Sequence, residues 1–110
     1  MANNFKVKGY TLTDTADTTI ITATGSSNFI VGSVIVCNIT AVAITVDALL
    51  YDSDQADSFY IMKDEPLTAG QSREVLVRPF SLETGDQLKV RCNIADSLDV
   101  VISYLDRNRD

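Results

Sequence analysis

Residues 87–104 read QLKVRCNIADSLDVVISY, and this stretch predicts two β-strands joined by a short polar turn. Apolar and polar residues alternate in both halves, and the apolar positions are Leu88, Val90, Cys92 and Ile94, then Leu98, Val100, Ile102 and Tyr104. Because successive side chains of a strand point to opposite faces, each strand has one face for a core and one for water. Asp96 and Ser97 favour a turn, since both side chains can bond the nearby backbone. The hairpin carries no reactive group on its apolar face, which favours a protein that packs and binds over one that catalyses.

The rest of the chain repeats this pattern in short segments that are separated by Gly, Asp, Ser and Pro turns. The alternation predicts further strands at residues 18–24, 29–39, 43–52, 58–62 and 72–78. Val, Ile and Thr are abundant, and such β-branched residues suit a pleated sheet better than a helix. About seven or eight short antiparallel strands, spaced roughly ten residues apart, predict an all-β fold of the β-sandwich or jelly-roll kind.

The length of 110 residues is that of a single domain. Residues 1–9 are polar apart from Phe5 and Val7, which predicts an N-terminal arm outside the core. We expect one β-sandwich domain at residues 10–105, followed by a polar C-terminal tail at residues 106–110. A domain of this length buries about two-thirds of its surface on folding, which is enough for a core without metals or disulfides.

The chain is acidic, with a formal net charge of −6 and a pI near 4.4. An acidic surface repels nucleic acid and anionic lipid, so we expect no nucleic-acid partner and no membrane partner. The N-terminus lacks the apolar run of a signal peptide, and no window reaches the roughly 18 apolar residues that a membrane helix needs. These features predict a protein that is made and assembled in a cytoplasm.

The sequence contains no histidine, which removes the commonest general base near neutral pH and the commonest transition-metal ligand. Asp52, Asp54 and Asp57 form a turn that invites comparison with a calcium loop. Such a loop needs Gly at its sixth position and Glu at its twelfth, where this chain has Asp57 and Lys63. A solvated turn is therefore favoured over a metal site, and we expect no enzymatic activity and no cofactor.

The two cysteines, Cys37 and Cys92, both fall on apolar strand faces. Their separation would suit a disulfide between two sheets, as in immunoglobulin domains. The chain lacks the Trp that packs on such a bridge, and cysteines in cytoplasmic proteins are commonly reduced. We therefore expect two free core thiols rather than a disulfide.

Three aromatic residues, Tyr51, Phe59 and Tyr60, cluster around the acidic turn. Exposed aromatic rings can stack on sugar rings, which makes these residues candidates for binding at the surface. The alternative, which we favour, is that they cover the edge of the sandwich.

The predicted strand at residues 29–39 is apolar on both of its faces. Strict alternation gives one face with Phe29, Val31, Ile35, Cys37 and Ile39, and a second face with Ile30, Val34 and Val36. One apolar face is enough for the core of a monomer, so the second face predicts a contact outside the domain. The candidate interface residues are therefore Ile30, Val34 and Val36.

Several segments resemble small β-sandwich virion structural proteins of tailed bacteriophages, especially marine and cyanobacterial ones. The segments are Pro66–Glu74, Leu82–Val90 and Ser97–Tyr104, together with the opening Lys6–Thr13 and the strand Gly32–Asn38. The resemblance extends over nearly the whole chain. It implies a structural role in the virion and supplies no catalytic residues.

This resemblance implies, most concretely, a capsid cement or decoration protein that binds the outer capsid surface and stabilises the shell. Its partners would be the major capsid protein or other virion proteins and further copies of itself, with a homotrimer implied by the threefold positions that many phage surface proteins occupy. A neck, tail or fibre component is the alternative within the virion. A carbohydrate-binding module that uses Tyr51, Phe59 and Tyr60 is the alternative of another class.

Overall fold

The computed structural model describes residues 2–24, 27–76 and 78–108. These residues form nine strands, and no helix is found among them, hence none that is long and apolar enough to cross a membrane. The strands are β1 (Ala2–Leu12), β2 (Thr18–Thr22), β3 (Ser27–Asn38), β4 (Ile44–Asp52), β5 (Asp57–Leu67), β6 (Ser72–Glu74), β7 (Phe80–Leu82), β8 (Gln87–Cys92) and β9 (Leu98–Asn108).

The chain turns back at residues 53–56, and the two sheets have the topology of a long hairpin that is rolled up. β4 pairs with β5, β3 with both β6 and β7, β2 with β8, and β1 with β9, all antiparallel. Rolling also pairs β9 with β3 and β8 with β4, which gives one sheet of order β1-β9-β3-β6, with β7 also on β3, and a second of order β2-β8-β4-β5. With β6 and β7 counted as one interrupted strand, this is a double-sheet jelly roll. The predicted all-β sandwich is confirmed.

The observed strands differ from the prediction most at the chain ends. The sequence predicts an arm at residues 1–9, but residues 2–12 form β1, which pairs with β9 along its whole length. β9 in turn runs to Asn108, into the predicted tail at residues 106–110, of which residues 109 and 110 lie outside the described residues. A polar segment can become a strand because the paired groups belong to the backbone. The limits of the domain at residues 10–105 stay a prediction.

The core lies between the two sheets and follows the alternation of the C-terminal hairpin. Leu88 and Val90 of β8 are fully buried, as are the inward residues of β9, which are Leu98, Val100 and Ile102. Each such side chain contributes roughly 1.5–3 kcal/mol through burial. Ile94 departs from the predicted pattern and is exposed, because β8 ends at Cys92.

A fully buried amide, Asn38, joins two connections at one end of the sandwich. Its Nδ2 donates to the carbonyl oxygens of Val42 (2.7 Å), Leu67 (3.2 Å) and Thr68 (3.1 Å). Its Oδ1 accepts from the backbone N–H (2.9 Å) and the hydroxyl (2.7 Å) of Thr40. The side chain thereby satisfies the β3–β4 connection and the end of β5 together, and a buried polar group is stable only when it is satisfied in this way.

Replacing Asn38 should therefore be costly. We expect the Asn38→Ala variant to lose about 2–4 kcal/mol of unfolding free energy, because several backbone groups lose their partner at once. Urea unfolding followed by circular dichroism measures the change. The exposed Asn4→Ala variant is the control and should stay within about 0.5 kcal/mol of wild type. Equal midpoints for the two variants would show that Asn38 does not join these connections.

Candidate interaction surface

The outer side of strands β1, β9 and β3 carries a group of exposed apolar side chains. Four rows of side chains cross it, and from one end to the other they are Phe5-Leu105-Ile30, Val7-Ser103-Ser33, Gly9-Val101-Ile35 and Thr11-Asp99-Cys37. We call these residues the outer face. Phe5 is 85% exposed and Val7 is 69% exposed. A contiguous exposed apolar area of this kind marks a site of interaction rather than ordinary surface.

A β-bulge in β3 decides which residues reach the outer face. Val31 pairs with Tyr104 and Ser33 pairs with Ser103, so Gly32 is an extra residue in the ladder. Because side chains alternate with a period of two, one extra residue moves every later side chain to the opposite face.

The Glu74 carboxylate fixes the bulge from the neighbouring strand. Its Oε1 accepts a hydrogen bond from the Ser33 hydroxyl at 2.5 Å. Its Oε2 accepts from the backbone N–H of Val34 at 2.7 Å and from that of Leu76 at 3.3 Å. Hydrogen bonds to a carboxylate are roughly twice as strong as neutral ones, so this one side chain satisfies the irregular backbone on both strands.

The bulge corrects the predicted interface. Val34 and Val36 are 0% exposed and belong to the core, so they are not available to a partner. Ile30 precedes the bulge and does lie on the outer face, half-buried beside Leu105. Ile35, which strict alternation assigns to the core, is exposed on the outer face instead. A glycine inside a strand often marks a bulge, and Gly32 is the sequence signal that could have revealed this.

The outer face contains two hollows. One, of about 200 Å³, is lined by Gly9, Tyr10, Thr11, Asp99, Val100 and Val101. The other, of about 210 Å³, is lined by Phe5, Ile30, Gly32, Pro79, Ser103, Tyr104 and Leu105. The absence of a side chain at Gly9 thus leaves a depression next to the protruding rings and aliphatic groups of the same face.

The outside of the second sheet is charged and differs sharply from the outer face. Arg91 donates from Nε to Asp47 at 2.7 Å, from Nη1 to Asp17 at 3.2 Å and from Nη2 to the Tyr60 hydroxyl at 2.8 Å. Asp47 also accepts from the backbone N–H of Asp64 at 2.6 Å. This network fastens β4, β5 and β8 together with the connection before β2.

The Asp47 carboxyl has a lowered pKa. Burial acts to raise the pKa, but the hydrogen bonds from Asp64 and Arg91 and the positive charges of Arg91 and Lys63 together outweigh it. The hydrogen bond to Asp47 is the main reason that the pKa of Arg91 is raised.

The three candidate aromatic residues do not share one surface. Tyr51 pairs with Ser58 and Tyr60 with Leu49, which puts both rings on the outside of the second sheet. Phe59 pairs with Leu50, a residue that packs against the core, so it lies on the opposite face of β5. Lys89 lies over the Tyr51 ring at 5.1 Å, and Lys63 lies over the Tyr60 ring at 5.2 Å. One aromatic platform for a sugar is therefore not formed by these three residues.

The two cysteines have different surroundings. Both are free thiols, and Cys92 is buried in the core as expected. Cys37 follows the bulge and lies half-buried on the outer face, so it is not the core thiol that the sequence predicts.

The acidic turn is organised by its own hydrogen bonds. Asp52 accepts from the backbone N–H of Asp54 at 3.0 Å and from Nε2 of Gln55 at 3.1 Å. Within residues 2–24, 27–76 and 78–108, no group of three or more acidic or cysteine side chains is arranged to hold a metal ion.

The lowered pKa of Asp47 predicts a specific dependence of stability on pH. The ionised carboxylate stabilises the fold above its unfolded pKa of about 3.9, and this contribution is lost as the pH falls through the lower folded value. We expect Asp47→Asn to be less stable than wild type at pH 5–7, with the difference shrinking below about pH 4. Urea midpoints between about pH 2 and pH 7 measure this, with the exposed Asp54→Asn as the control for loss of one charge. Parallel curves for wild type and Asp47→Asn would contradict it.

No protein-family model matches the sequence, and no curated protein does. Among solved structures, the chain is similar to a chain of the T13 particle of infectious bursal disease virus, with 11% identity and a TM-score of 0.56. That similarity covers 94% of this chain and 30% of the viral chain, so this chain spans about a third of that one.

Two further solved structures are similar over a comparable part of this chain. The VP2 subviral particle of infectious bursal disease virus shows 15% identity and a TM-score of 0.49, over 93% of this chain and 32% of that one. A pentameric capsid protein from metagenomic phage sequences shows 23% identity and a TM-score of 0.40, over 96% of this chain and 60% of that one. At such identities the similarity is one of fold.

Proposed function

We propose that this chain is a non-enzymatic structural protein of a virion. The observation that carries the proposal is the fold: almost the whole chain is one jelly roll similar to part of a chain in a viral particle. Jelly rolls are common in viral capsids, although lectins and other proteins also use them, so the fold supports this role without being limited to it. The earlier resemblance to phage virion proteins points the same way.

The more specific proposal is a capsid cement or decoration protein of a tailed bacteriophage. Such a protein must fold alone, stay dispersed and still offer one surface for packing. Here the core closes within the single chain, the net charge of −6 opposes aggregation, and the outer face supplies an apolar contact area for a further copy of the chain. The partner proposed for the particle is the major capsid protein, and the location proposed is the virion.

The homotrimer stays a prediction that rests on the phage resemblance alone. The second apolar face of β3 was the reason to expect self-association in general, and the burial of Val34 and Val36 removes that reason. Ile30 remains accessible on the outer face, so self-association is still supported, through a different set of residues.

Purified particles from the source of the sequence test the virion role. We expect mass spectrometry of gradient-purified particles to find this chain in many copies per particle, and electron microscopy to find its density distributed over the capsid surface. Density confined to one vertex or to the tail would instead assign the chain to the neck, tail or fibre. Its absence from particles, while it is abundant in the soluble fraction of infected cells, would contradict the virion role.

A comparison of particles with and without this chain tests whether the protein acts as cement. Particles that lack the chain should release their genome at a lower temperature than complete particles, and adding purified protein back should restore the difference. Identical release temperatures would show that the protein does not stabilise the shell.

A further inference from the structure

On β1, β9 and β3 the centre of the outer face carries no charged residue, and the Glu74 carboxylate reaches its edge at Ser33 from β6. Charged residues make up 22% of the chain. Yet the three rows that begin with Phe5, Val7 and Gly9 contain only apolar residues, glycine and serine. The side chains of these rows can be desolvated at low cost, and the Glu74 carboxylate at their edge already has three hydrogen bonds within the chain.

The two ends of the outer face carry opposite charges at equal distances from its centre. Asp99 and Arg107 both lie on the outer side of β9, four residues on either side of Ser103. At about 3.3 Å per strand residue, each lies roughly 13 Å from Ser103 along the strand.

The exposed Phe5 ring and the hollow at Gly9 lie on the same face, at equal distances from Ser103 in opposite directions along the strands. Phe5 lies in the row of Leu105, two residues from Ser103 toward one end. Gly9 lies in the row of Val101, two residues from Ser103 toward the other end, where it opens the hollow of about 200 Å³. The exposed ring therefore has a cavity of suitable size at the mirrored position of its own strand.

We propose that the outer face is a contact between two copies of this chain, related by a twofold axis that runs across the strands at Ser103. This single operation lays Asp99 of each copy against Arg107 of the other. It places each Phe5 over the Gly9 hollow of the other copy, while Ile30 meets Ile35 and Val7 meets its own counterpart. Contacts of this isologous kind are the commonest in soluble oligomers.

We infer a second copy of the chain as the partner of the outer face because one symmetry operation produces all of these residue pairs. An unrelated partner would need no correspondence between residues that belong to the same face. Two molecules of net charge −6 repel each other at long range, and the two Asp99–Arg107 pairs oppose that repulsion and fix the register. The contact concerns the protein alone and does not depend on the proposed virion role.

The area of the outer face gives a rough expectation for the affinity between the two copies. Three strands about 4.8 Å apart, spanning residues 99–107 of β9, give a plan area of roughly 400 Å² on each copy. The two faces together give about 800 Å², which is below the roughly 1,000 Å² of a stable specific interface, so we expect weak pairing with a dissociation constant of about 10–100 µM. Association must therefore be measured at high protein concentration.

Sedimentation equilibrium over about 10–500 µM tests the pairing. The mass should rise from the 12.0 kDa of one chain toward twice that value. Phe5→Ala should weaken pairing at least about tenfold. Phe59→Ala, which removes a 44% exposed ring from the other sheet, is the matched control and should pair like wild type.

Filling the hollow is the sharpest variant. A Cβ at Gly9 would lie 3.9 Å from the Val100 carbonyl oxygen, which is ordinary contact, so Gly9→Leu should fold normally. It should nevertheless stay monomeric at 500 µM, because the Leu side chain occupies the space that the proposal assigns to Phe5 of the partner. An unchanged urea midpoint confirms that the fold is intact.

Exchanging the end charges tests the direction of the axis. Asp99→Arg and Arg107→Asp should each weaken pairing, whereas the double variant should restore it to within about twofold of wild type, because opposite charges again meet. A wild-type chain that stays monomeric at 500 µM, a limiting mass of three copies, or normal pairing by Gly9→Leu would each overturn the proposal.

Discussion

The structure depends on one irregularity, the bulge at Gly32 that the Glu74 carboxylate holds in place. The carboxylate accepts hydrogen bonds from the Ser33 hydroxyl and the Val34 and Leu76 N–H groups, and so joins β3 to the residues that follow β6. Beyond Gly32, Val34 and Val36 fill the core, and Ile35 between them faces outward. The identity of the accessible surface is therefore settled by a hydrogen-bonded defect and not by hydrophobicity alone.

The two sheets of the jelly roll consequently present different chemistry to their surroundings. The outer face is mostly apolar along β1, β9 and β3 and has a hollow at Gly9, which suits packing against another protein surface. The outside of the second sheet is tied together by Arg91, Asp47 and Tyr60, whose polar groups already have partners within the chain. The outsides of the two sheets therefore differ in charge and in how many of their polar groups are paired within the chain.

The sequence was sufficient for the fold class because local alternation and burial agree over residues 87–104. It was insufficient for β1, because the pairing of that polar segment is provided by β9, almost a chain length away. The prediction of the interface residues was wrong for a related reason. The bulge is held by a contact between Glu74 and Ser33, which lie 41 residues apart, and no local sequence pattern indicates that contact. Gly32 offered a hint, but a glycine alone does not say whether a strand contains an extra residue.

Thiol labelling on either side of the bulge tests this account most directly. In a Cys37→Ser background, Val34→Cys and Ile35→Cys each add one thiol to the buried Cys92. With the bulge in place, the native Ile35→Cys protein should react with a maleimide at nearly the rate of the unfolded chain, and the native Val34→Cys protein should react at least about a hundredfold more slowly, through opening of the fold. Fast labelling of Val34→Cys together with protection of Ile35→Cys would show that β3 alternates without a bulge, and the outer face described here would then not exist.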